Sequence, residues 1–128
     1  MTICKKTKAI LFIHNYGSIC SYEKIKKIAQ KKNIFIIEDT SQVILSRQNN
    51  NFVGNGKIFN KEKYLSYSSF HASKTLITGE GGMILTNSKK ISLKLKTLRN
   101  HGQKPNKPYY YNMTGGNFRL SNILASIG

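Results

Sequence analysis

Two short apolar runs near the start of the chain are separated by an amphipathic stretch. The runs cover residues 9–13 and 34–37, and the second ends at Glu38 and Asp39. Continuous apolar runs of this length are typical of strands buried on both faces of a parallel sheet. The apolar positions of the stretch between them recur at helical spacing: Tyr22, Ile25, Ile28 and Ala29. We therefore predict a helix that is capped by Ser21 and ends near Lys32, within a right-handed βαβ unit.

The remaining pattern predicts a mixture of strands, helices and loops. Alternation of apolar and small polar residues indicates strands at 64–70 and 83–86. Helical spacing after Ser88 predicts a helix to about residue 100, and a last helix begins near 120–121. We also expect a short helix over 40–46, an exposed loop or irregular hairpin over 47–63 centred on 54–56, and a loop over 101–116.

The charge balance of the chain is strongly basic. There are 21 Lys and Arg residues against 5 Asp and Glu residues, which gives a formal net charge of +16. This balance raises nucleic acid or an anionic membrane surface as partners. The lysines are spread over nearly the whole length, however, and do not form one arm or groove. We therefore expect a solvated basic surface and no nucleic-acid partner.

Localisation signals and metal-binding patterns are not evident. No apolar run approaches the roughly 20 residues of a membrane span, and the N-terminus lacks the pattern of a signal peptide. The two cysteines, Cys4 and Cys20, have neither metal-ligand nor disulfide-framework spacing. We expect a cytoplasmic protein with no membrane partner and no metal site.

The carboxyl ends of the first two predicted strands carry polar residues. Ligands of open α/β sheets gather at this edge, and the pattern places His14 and Asp39 there. Asp39 is the only aspartate of a chain that is poor in acids. A carboxylate in this position can cap a helix, or it can hold the protonated ring nitrogen of pyridoxal phosphate.

A second candidate group surrounds Lys74. Ser69 and His71 precede this lysine on the same segment, and a glycine cluster follows at 79–82. A desolvated lysine amine is a nucleophile toward carbonyl compounds, whereas an ordinary lysine in a turn is simply solvated. The glycines can supply positive φ angles, but they match neither the GxGxxG fingerprint of dinucleotide sites nor a P-loop.

Six segments of the chain together carry a family resemblance. They are 14–17 (HNYG), 37–42 (IEDTSQ), 69–74 (SFHASK), 78–83 (TGEGGM), 98–102 (LRNHG) and 116–120 (GNFRL). In this order they resemble the DegT-type (DegT/StrS) sugar aminotransferases, which use pyridoxal phosphate. The resemblance implies an α/β fold: residues 1–128 would be part of a fold-type I large domain with three α/β/α layers and a mostly parallel sheet. The N-terminal segment of that domain and the C-terminal small domain have no counterpart.

The resemblance also implies roles for individual residues. Lys74 corresponds to the Schiff-base lysine that moves the proton, and Asp39 to the partner of the ring nitrogen. Gln42 corresponds to the polar group near the phenolic oxygen, and Ser69 to a ligand of the phosphate. Asn117 corresponds to an asparagine that reaches the phosphate from the neighbouring subunit of a homodimer. His71 is a candidate substrate contact.

The function implied by the resemblance is transfer of an amino group, with glutamate as donor, to a keto group on a nucleotide-linked sugar. Such sugars enter cell-surface polysaccharide or lipopolysaccharide. Thr40 and Ser41 depart from the small apolar pair that is usual after the aspartate. Because sheet edges and apolar faces would be exposed, we expect the chain alone to be poorly stable and inactive. Two alternatives are a basic nucleic-acid-binding module and a degenerate remnant without activity.

Overall fold

The computed structural model describes residues 3–128, which form six strands and three α-helices. The strands are β1 (Ala9–Ile13), β2 (Phe35–Asp39), β3 (Arg47–Gln48), β4 (Asn51–Phe52), β5 (Tyr64–Ser69) and β6 (Gly82–Leu85). The helices are α1 (Tyr22–Lys32), α2 (Lys89–Arg99) and α3 (Asn122–Ile127), and a short 3₁₀ helix, Lys61–Lys63, precedes β5. One sheet has the order β1-β2-β5-β6, and β3 pairs with β4 in a separate hairpin.

The sheet is mostly parallel, as the sequence predicted. β1 pairs with β2 and β2 with β5 in parallel, whereas β6 runs antiparallel to β5 at the edge. The register aligns Ile13 with Asp39 and Asp39 with Tyr67. Because these three residues are neighbours across the sheet, their side chains lie on the same face at the carboxyl end of the parallel strands.

Helix α1 packs on one face of the sheet and forms the core there. The buried core residues are Ile10, Phe12, Ala29, Ile34, Ile36 and Tyr64, and Tyr22, Ile25 and Ile28 of α1 pack against them. The rings of Phe59 and Tyr64 are stacked with their centroids 5.2 Å apart. The predicted apolar face of α1 is thus confirmed.

The predicted helix caps have different outcomes. Ser21 occupies the N-cap position of α1, but its side chain makes no capping hydrogen bond, so that part of the prediction is wrong. The hydroxyl of Ser88 accepts from the N–H of Ile91 at the start of α2, as predicted. The hydroxyl of Ser121 accepts from the N–H of Leu124, which starts α3 at the expected place.

The prediction that β1 is buried on both faces is wrong. Its burial alternates: Ile10 and Phe12 are buried, whereas Leu11 and Ile13 are 52% and 41% exposed. The exposed pair lies on the face opposite α1, and among residues 3–128 no second helical layer covers it. The apolar run therefore predicted the strand correctly, but it did not indicate that only one face of the strand is buried.

The predicted short helix over 40–46 is also wrong, because successive turns replace it. The N–H of Val43 donates to the carbonyl of Thr40 at 3.0 Å, and that of Ser46 donates to the carbonyl of Val43 at 2.9 Å. Leu45 has a φ of 66°, which ends any right-handed helix.

The turn of the following hairpin lies earlier than predicted. It is formed by Asn49 and Asn50, which have φ angles of 47° and 62°, as the two-residue loops of β-hairpins require. Gly54 and Gly56, the expected centre of an exposed loop, are buried instead. Gly56 is confined by the ring of Tyr64, which lies 2.3 Å from where a Cβ would be.

Gly102 provides a first testable prediction, because its backbone has no room for a side chain. Its φ is 76°, and a Cβ there would lie 1.7 Å from the carbonyl oxygen of Met113. Gly17 has a similar φ of 79° but nothing within 4 Å of a Cβ. We expect Gly17→Ala to lower the free energy of unfolding by about 1 kcal/mol through backbone strain. Gly102→Ala should cost about 1–3 kcal/mol more, through overpacking.

Urea unfolding followed by circular dichroism measures this difference. Gly17→Ala is the matched control, since it isolates the cost of the positive φ from the cost of the contact. Equal losses of stability in the two variants would contradict the close approach of Gly102 to Met113.

Candidate functional site

Asp39 is the last residue of β2, and two donors hold its carboxylate. Its Oδ1 accepts from the N–H of Ser41 at 2.9 Å, within the turn that follows the strand. Its Oδ2 accepts from the hydroxyl of Tyr67, on the neighbouring strand β5, at 2.8 Å. Asp39 and Tyr67 are both only partly buried, so one side of the carboxylate faces a surface that a ligand can reach.

The environment of Asp39 favours its charged form. Burial acts to raise the pKa of this carboxyl, but the hydrogen bonds from Ser41 and Tyr67 and the positive charge of Lys74 outweigh burial and lower the pKa below its ordinary value. Lys74 is therefore close enough to Asp39 to act on it electrostatically.

Lys74 lies in the loop between β5 and β6, and backbone hydrogen bonds close this loop on itself. The N–H of Phe70 donates to the carbonyl of Gly81 at 2.9 Å, and that of Thr78 donates to the carbonyl of Phe70 at 3.0 Å. Gly79 and Gly81 have φ angles of 87° and 132°, which confirms the predicted use of the glycine cluster. The loop therefore has a defined shape that presents the half-buried Lys74.

Ser69 and His71 lie on the same loop segment. The N–H of Ser69 donates to the hydroxyl oxygen of Ser41 at 3.0 Å, so Ser41 connects Ser69 to Asp39. Nδ1 of His71 accepts from the N–H of Ser73 at 3.2 Å, which places the proton of the neutral imidazole on Nε2. The imidazole is exposed and able to contact a ligand.

Gln42 and Asn117 form hydrogen bonds with residues outside this group. Oε1 of Gln42 accepts from the N–H of Tyr16 at 2.6 Å, which ties Gln42 to the turn after β1. Oδ1 of Asn117 accepts from Nε of Arg119 at 3.1 Å, which leaves its amide N–H groups free to donate elsewhere. Within residues 3–128 no hydrogen bond joins Asn117 to Asp39 or Lys74. Hydrogen bonds connect four of the six predicted site residues through Ser41 and the backbone: Asp39, Ser69, His71 and Lys74.

Thr40 and Ser41, the unusual polar pair after the aspartate, are both buried and hydrogen-bonded. The hydroxyl of Thr40 donates to the carbonyl of Tyr67 at 2.9 Å and also contacts the hydroxyl of Ser68. The hydroxyl oxygen of Ser41 accepts a hydrogen bond from the N–H of Ser69. The pair therefore joins the ends of β2 and β5, where Asp39 and Tyr67 meet.

Glu38 forms a buried polar cluster that the sequence analysis did not identify. Its Oε1 accepts from Nε2 of His14 at 2.9 Å, from the N–H of Gly54 at 3.0 Å and from the hydroxyl of Tyr22, and its Oε2 accepts from the hydroxyl of Tyr64. Nδ1 of His14 accepts from the N–H of Cys20 at 3.0 Å, so Nε2 carries the proton and donates. The cluster anchors the end of β2 from the face opposite Asp39.

The charges within this cluster shift the pKa values of its members. Burial acts to raise the pKa of Glu38, but the donors from His14, Tyr22 and Tyr64 outweigh burial and lower it. Burial and the adjacent carboxylate raise the pKa values of Tyr22 and Tyr64. Side chains of a strand alternate between its two faces, so Glu38, two residues after Ile36, must face the core with it. A carboxylate there requires hydrogen-bond donors, and this was the signal in the sequence.

His14 is at the predicted edge of the sheet, but its side chain does not face Asp39. Its backbone N–H donates to the carbonyl of Asp39 at 3.3 Å, whereas its fully buried imidazole binds Glu38 on the opposite face. Among residues 3–128 no group of three or more His, Cys, Asp or Glu side chains is placed to hold a metal ion. None of the helices described is long and apolar enough to cross a membrane.

Comparison with known proteins relates the whole chain to sugar aminotransferases. It is 37% identical over 127 residues to GDP-perosamine synthase of Escherichia coli O157:H7, which covers 98% of this chain and 33% of that protein. The aminotransferase PseC of Helicobacter pylori, involved in the biosynthesis of pseudoaminic acid, superposes with a TM-score of 0.86 at 31% identity, over 98% of this chain and 33% of PseC. NtdA of Bacillus subtilis, solved with its cofactor PMP bound, gives a TM-score of 0.83 at 27% identity, over 98% of this chain and 27% of NtdA.

The fold defines the class of protein: an α/β segment with a mostly parallel sheet, of the kind found in pyridoxal-phosphate aminotransferases. Residues 1–128 match the DegT/DnrJ/EryC1/StrS aminotransferase family, and the chain belongs to that family. The chain spans about a third of the length of the curated relatives it matches.

Proposed function

We propose that this chain supplies the cofactor-binding part of an enzyme that transfers an amino group to a keto group on a nucleotide-linked sugar. The observation that carries the proposal is the hydrogen-bonded connection of Asp39, through Ser41, to the segment 69–74 that holds Lys74. The similarity to GDP-perosamine synthases supports a nucleotide-linked sugar as substrate and its aminated form as product. We take glutamate to be the amino donor.

The residues present fit pyridoxal phosphate as the cofactor. A carboxylate held in its charged form suits a protonated pyridine nitrogen, and Asp39 meets that requirement. Lys74 supplies a primary amine, and Ser69 a hydroxyl suited to a phosphate oxygen. When bound, the cofactor would supply an electron sink that stabilises negative charge at the carbon that loses its proton.

We assign a separate role in the reaction to each of several residues of the chain. The amine of Lys74 would hold the cofactor through its aldehyde group and would carry a proton to and from the substrate carbon. Asp39 would hold the ring nitrogen in its charged form, and Gln42 would be the polar group for the phenolic oxygen. His71 contacts the substrate through its exposed imidazole.

We further propose that residues 1–128 form part of a large domain whose N-terminal segment and C-terminal small domain lie outside this chain. In that arrangement the whole enzyme is a cytoplasmic homodimer, and Asn117 reaches the phosphate of the neighbouring subunit. Arg119 holds the side-chain oxygen of Asn117, and within residues 3–128 the amide N–H groups of Asn117 have no acceptor, which supports a role as donor.

The test is glutamate-dependent amination of a nucleotide-linked keto sugar. The chain is expressed together with the sequence encoded on either side of it, and is supplied with pyridoxal phosphate, glutamate and GDP-4-keto-6-deoxymannose as probe. Mass spectrometry of the nucleotide sugars should detect an aminated product that requires both glutamate and the cofactor.

Two outcomes of this experiment would overturn the proposal. Salt-sensitive binding of a DNA oligonucleotide without any amination would favour the basic binding module, since phosphate contacts weaken steeply with salt. Loss of both amination and cofactor binding would identify an inactive remnant.

A further inference from the structure

Tyr67 occupies a special position relative to Asp39. In the sheet register Asp39 lies between Ile13 on one side and Tyr67 on the other, with all three side chains on the face opposite α1. Ile13 offers the carboxylate no hydrogen bond, so the polar neighbour across the sheet is Tyr67. Its hydroxyl donates to Oδ2 of Asp39 at 2.8 Å.

The two donors on Asp39 come from independent parts of the chain. The Ser41 N–H on Oδ1 belongs to the turn directly after β2, whereas the Tyr67 hydroxyl on Oδ2 belongs to β5. One hydrogen bond allows a carboxylate to rotate about its χ2 angle, but two donors on different oxygens define its plane. Each carboxylate oxygen keeps a lone pair free for a further donor.

We propose that Tyr67 is a positioning residue that fixes the plane and the charge of the Asp39 carboxylate toward the ring nitrogen of an aromatic cofactor. The cofactor part of this inference rests on the proposed function, whereas the effect of Tyr67 on Asp39 does not. Tyr67 itself does not touch the reacting atoms; it acts through Asp39.

The charges around the pair agree with this role. Burial, the hydrogen bond to Asp39 and the negative charge of Asp39 together raise the pKa of Tyr67 to about 12, so the phenol remains protonated and donates. The groups that act on Asp39 are Ser41, Tyr67 and the charge of Lys74. Removing the phenol takes away one of the donors that lower the pKa of Asp39, so that pKa should rise.

The chain is well suited to a direct measurement, because Asp39 is its only aspartate. Protein labelled with ¹³C at the aspartate carboxyl therefore gives a single Asp signal, and its shift against pH reports the pKa of Asp39. We expect Tyr67→Phe to move this titration to higher pH, whereas the control Tyr109→Phe, at an 86% exposed residue, leaves it unchanged. In the reciprocal variant Asp39→Asn, the pKa of Tyr67 should fall toward that of an ordinary phenol.

Binding of pyridoxal phosphate gives a second readout. Loss of a hydrogen bond to a charged group should weaken binding by Tyr67→Phe roughly tenfold relative to Tyr109→Phe. An unchanged Asp39 titration in Tyr67→Phe would overturn the inference, whatever the cofactor result. If the titration moves but even the unmodified protein fails to bind pyridoxal phosphate, the proposed function fails while the role of Tyr67 in fixing the charge of Asp39 stands.

Discussion

Lys74→Ala should abolish the attachment of pyridoxal phosphate at the candidate site. Borohydride reduces the bond between a lysine amine and the cofactor aldehyde and makes it permanent, so peptide mapping identifies the lysine that carried it. In the unmodified protein we expect most of the label on the peptide that contains Lys74. In the variant, labelling of that region should fall at least roughly tenfold, because an amine held beside its target reacts faster than freely solvated amines.

The chain's many lysines make the choice of control important. Lys94→Ala removes an exposed lysine of α2 and should leave the labelling of Lys74 unchanged. Lys74→Arg keeps a positive charge beside Asp39 but has no amine that can bond to the aldehyde. It should lose the label and still keep the pKa of Asp39 low.

Other results would exclude the assignment of Lys74. If labelling of the folded protein were spread evenly over the lysines, Lys74 would be an ordinary surface amine. If Lys74→Ala retained a labelled lysine at the same level with the same cofactor affinity, another residue would hold the aldehyde.

The local pattern of the chain predicted most of its regular structure. The apolar run of β1, the spacing of α1 and the caps Ser88 and Ser121 are local features, and each produced the expected element. The errors fall where long-range contacts decide the conformation. Thr40 starts a series of turns and not a helix, because its hydroxyl bonds to β5, which lies some distance along the chain.

In the candidate site, too, local sequence identified residues but not their long-range contacts. Asp39 was identified by its position at a strand end, and Lys74 by its neighbours on the same loop. The partner Tyr67 could not be predicted, because its contact with Asp39 depends on the register between β2 and β5, which local sequence does not specify. Glu38 was overlooked for a related reason: its donors come from the residue after β1, from α1, from β5 and from the segment after the hairpin, and only the folded chain brings these together.

The two carboxylates of β2 have different environments because strand alternation points them to opposite faces. Asp39 faces the open side, where a ligand can approach, and it has two donors. Glu38 is 1% exposed and has four. A carboxylate whose hydrogen-bonding capacity is filled and hidden serves structure, whereas one with free lone pairs at the surface can serve binding.

Glu38→Gln should therefore cause a large loss of stability. The amide keeps the shape but loses the charge, and it turns one acceptor oxygen into a donor that faces the hydroxyls or the imidazole already donating there. Breaking a buried charged network by altering one partner typically costs about 3–5 kcal/mol. Because domains are stable by only about 5–15 kcal/mol, such a loss would leave the chain close to unfolding.

Urea unfolding at neutral pH measures the effect, with Glu80→Gln at an exposed glutamate as the matched control. If Glu38→Gln does not fold, Tyr64→Phe removes a single donor from the cluster and should cost about 1–2 kcal/mol while the protein remains folded. A loss in Glu38→Gln no larger than in Glu80→Gln would contradict the buried cluster.

The dependence on pH provides an independent check of the same cluster. The pKa of Glu38 is lowered in the folded protein, so on acidification the unfolded chain binds a proton at this residue first. The stabilisation from the ionised carboxylate is complete above the ordinary pKa of a glutamate and is lost as the pH falls through the lowered value. The difference in stability between the unmodified protein and Glu38→Gln should therefore be largest near neutral pH and shrink in acid. A difference that grew in acid would mean that Glu38 is protonated in the fold, which is incompatible with a carboxylate that accepts from His14, Tyr22, Tyr64 and Gly54 at once.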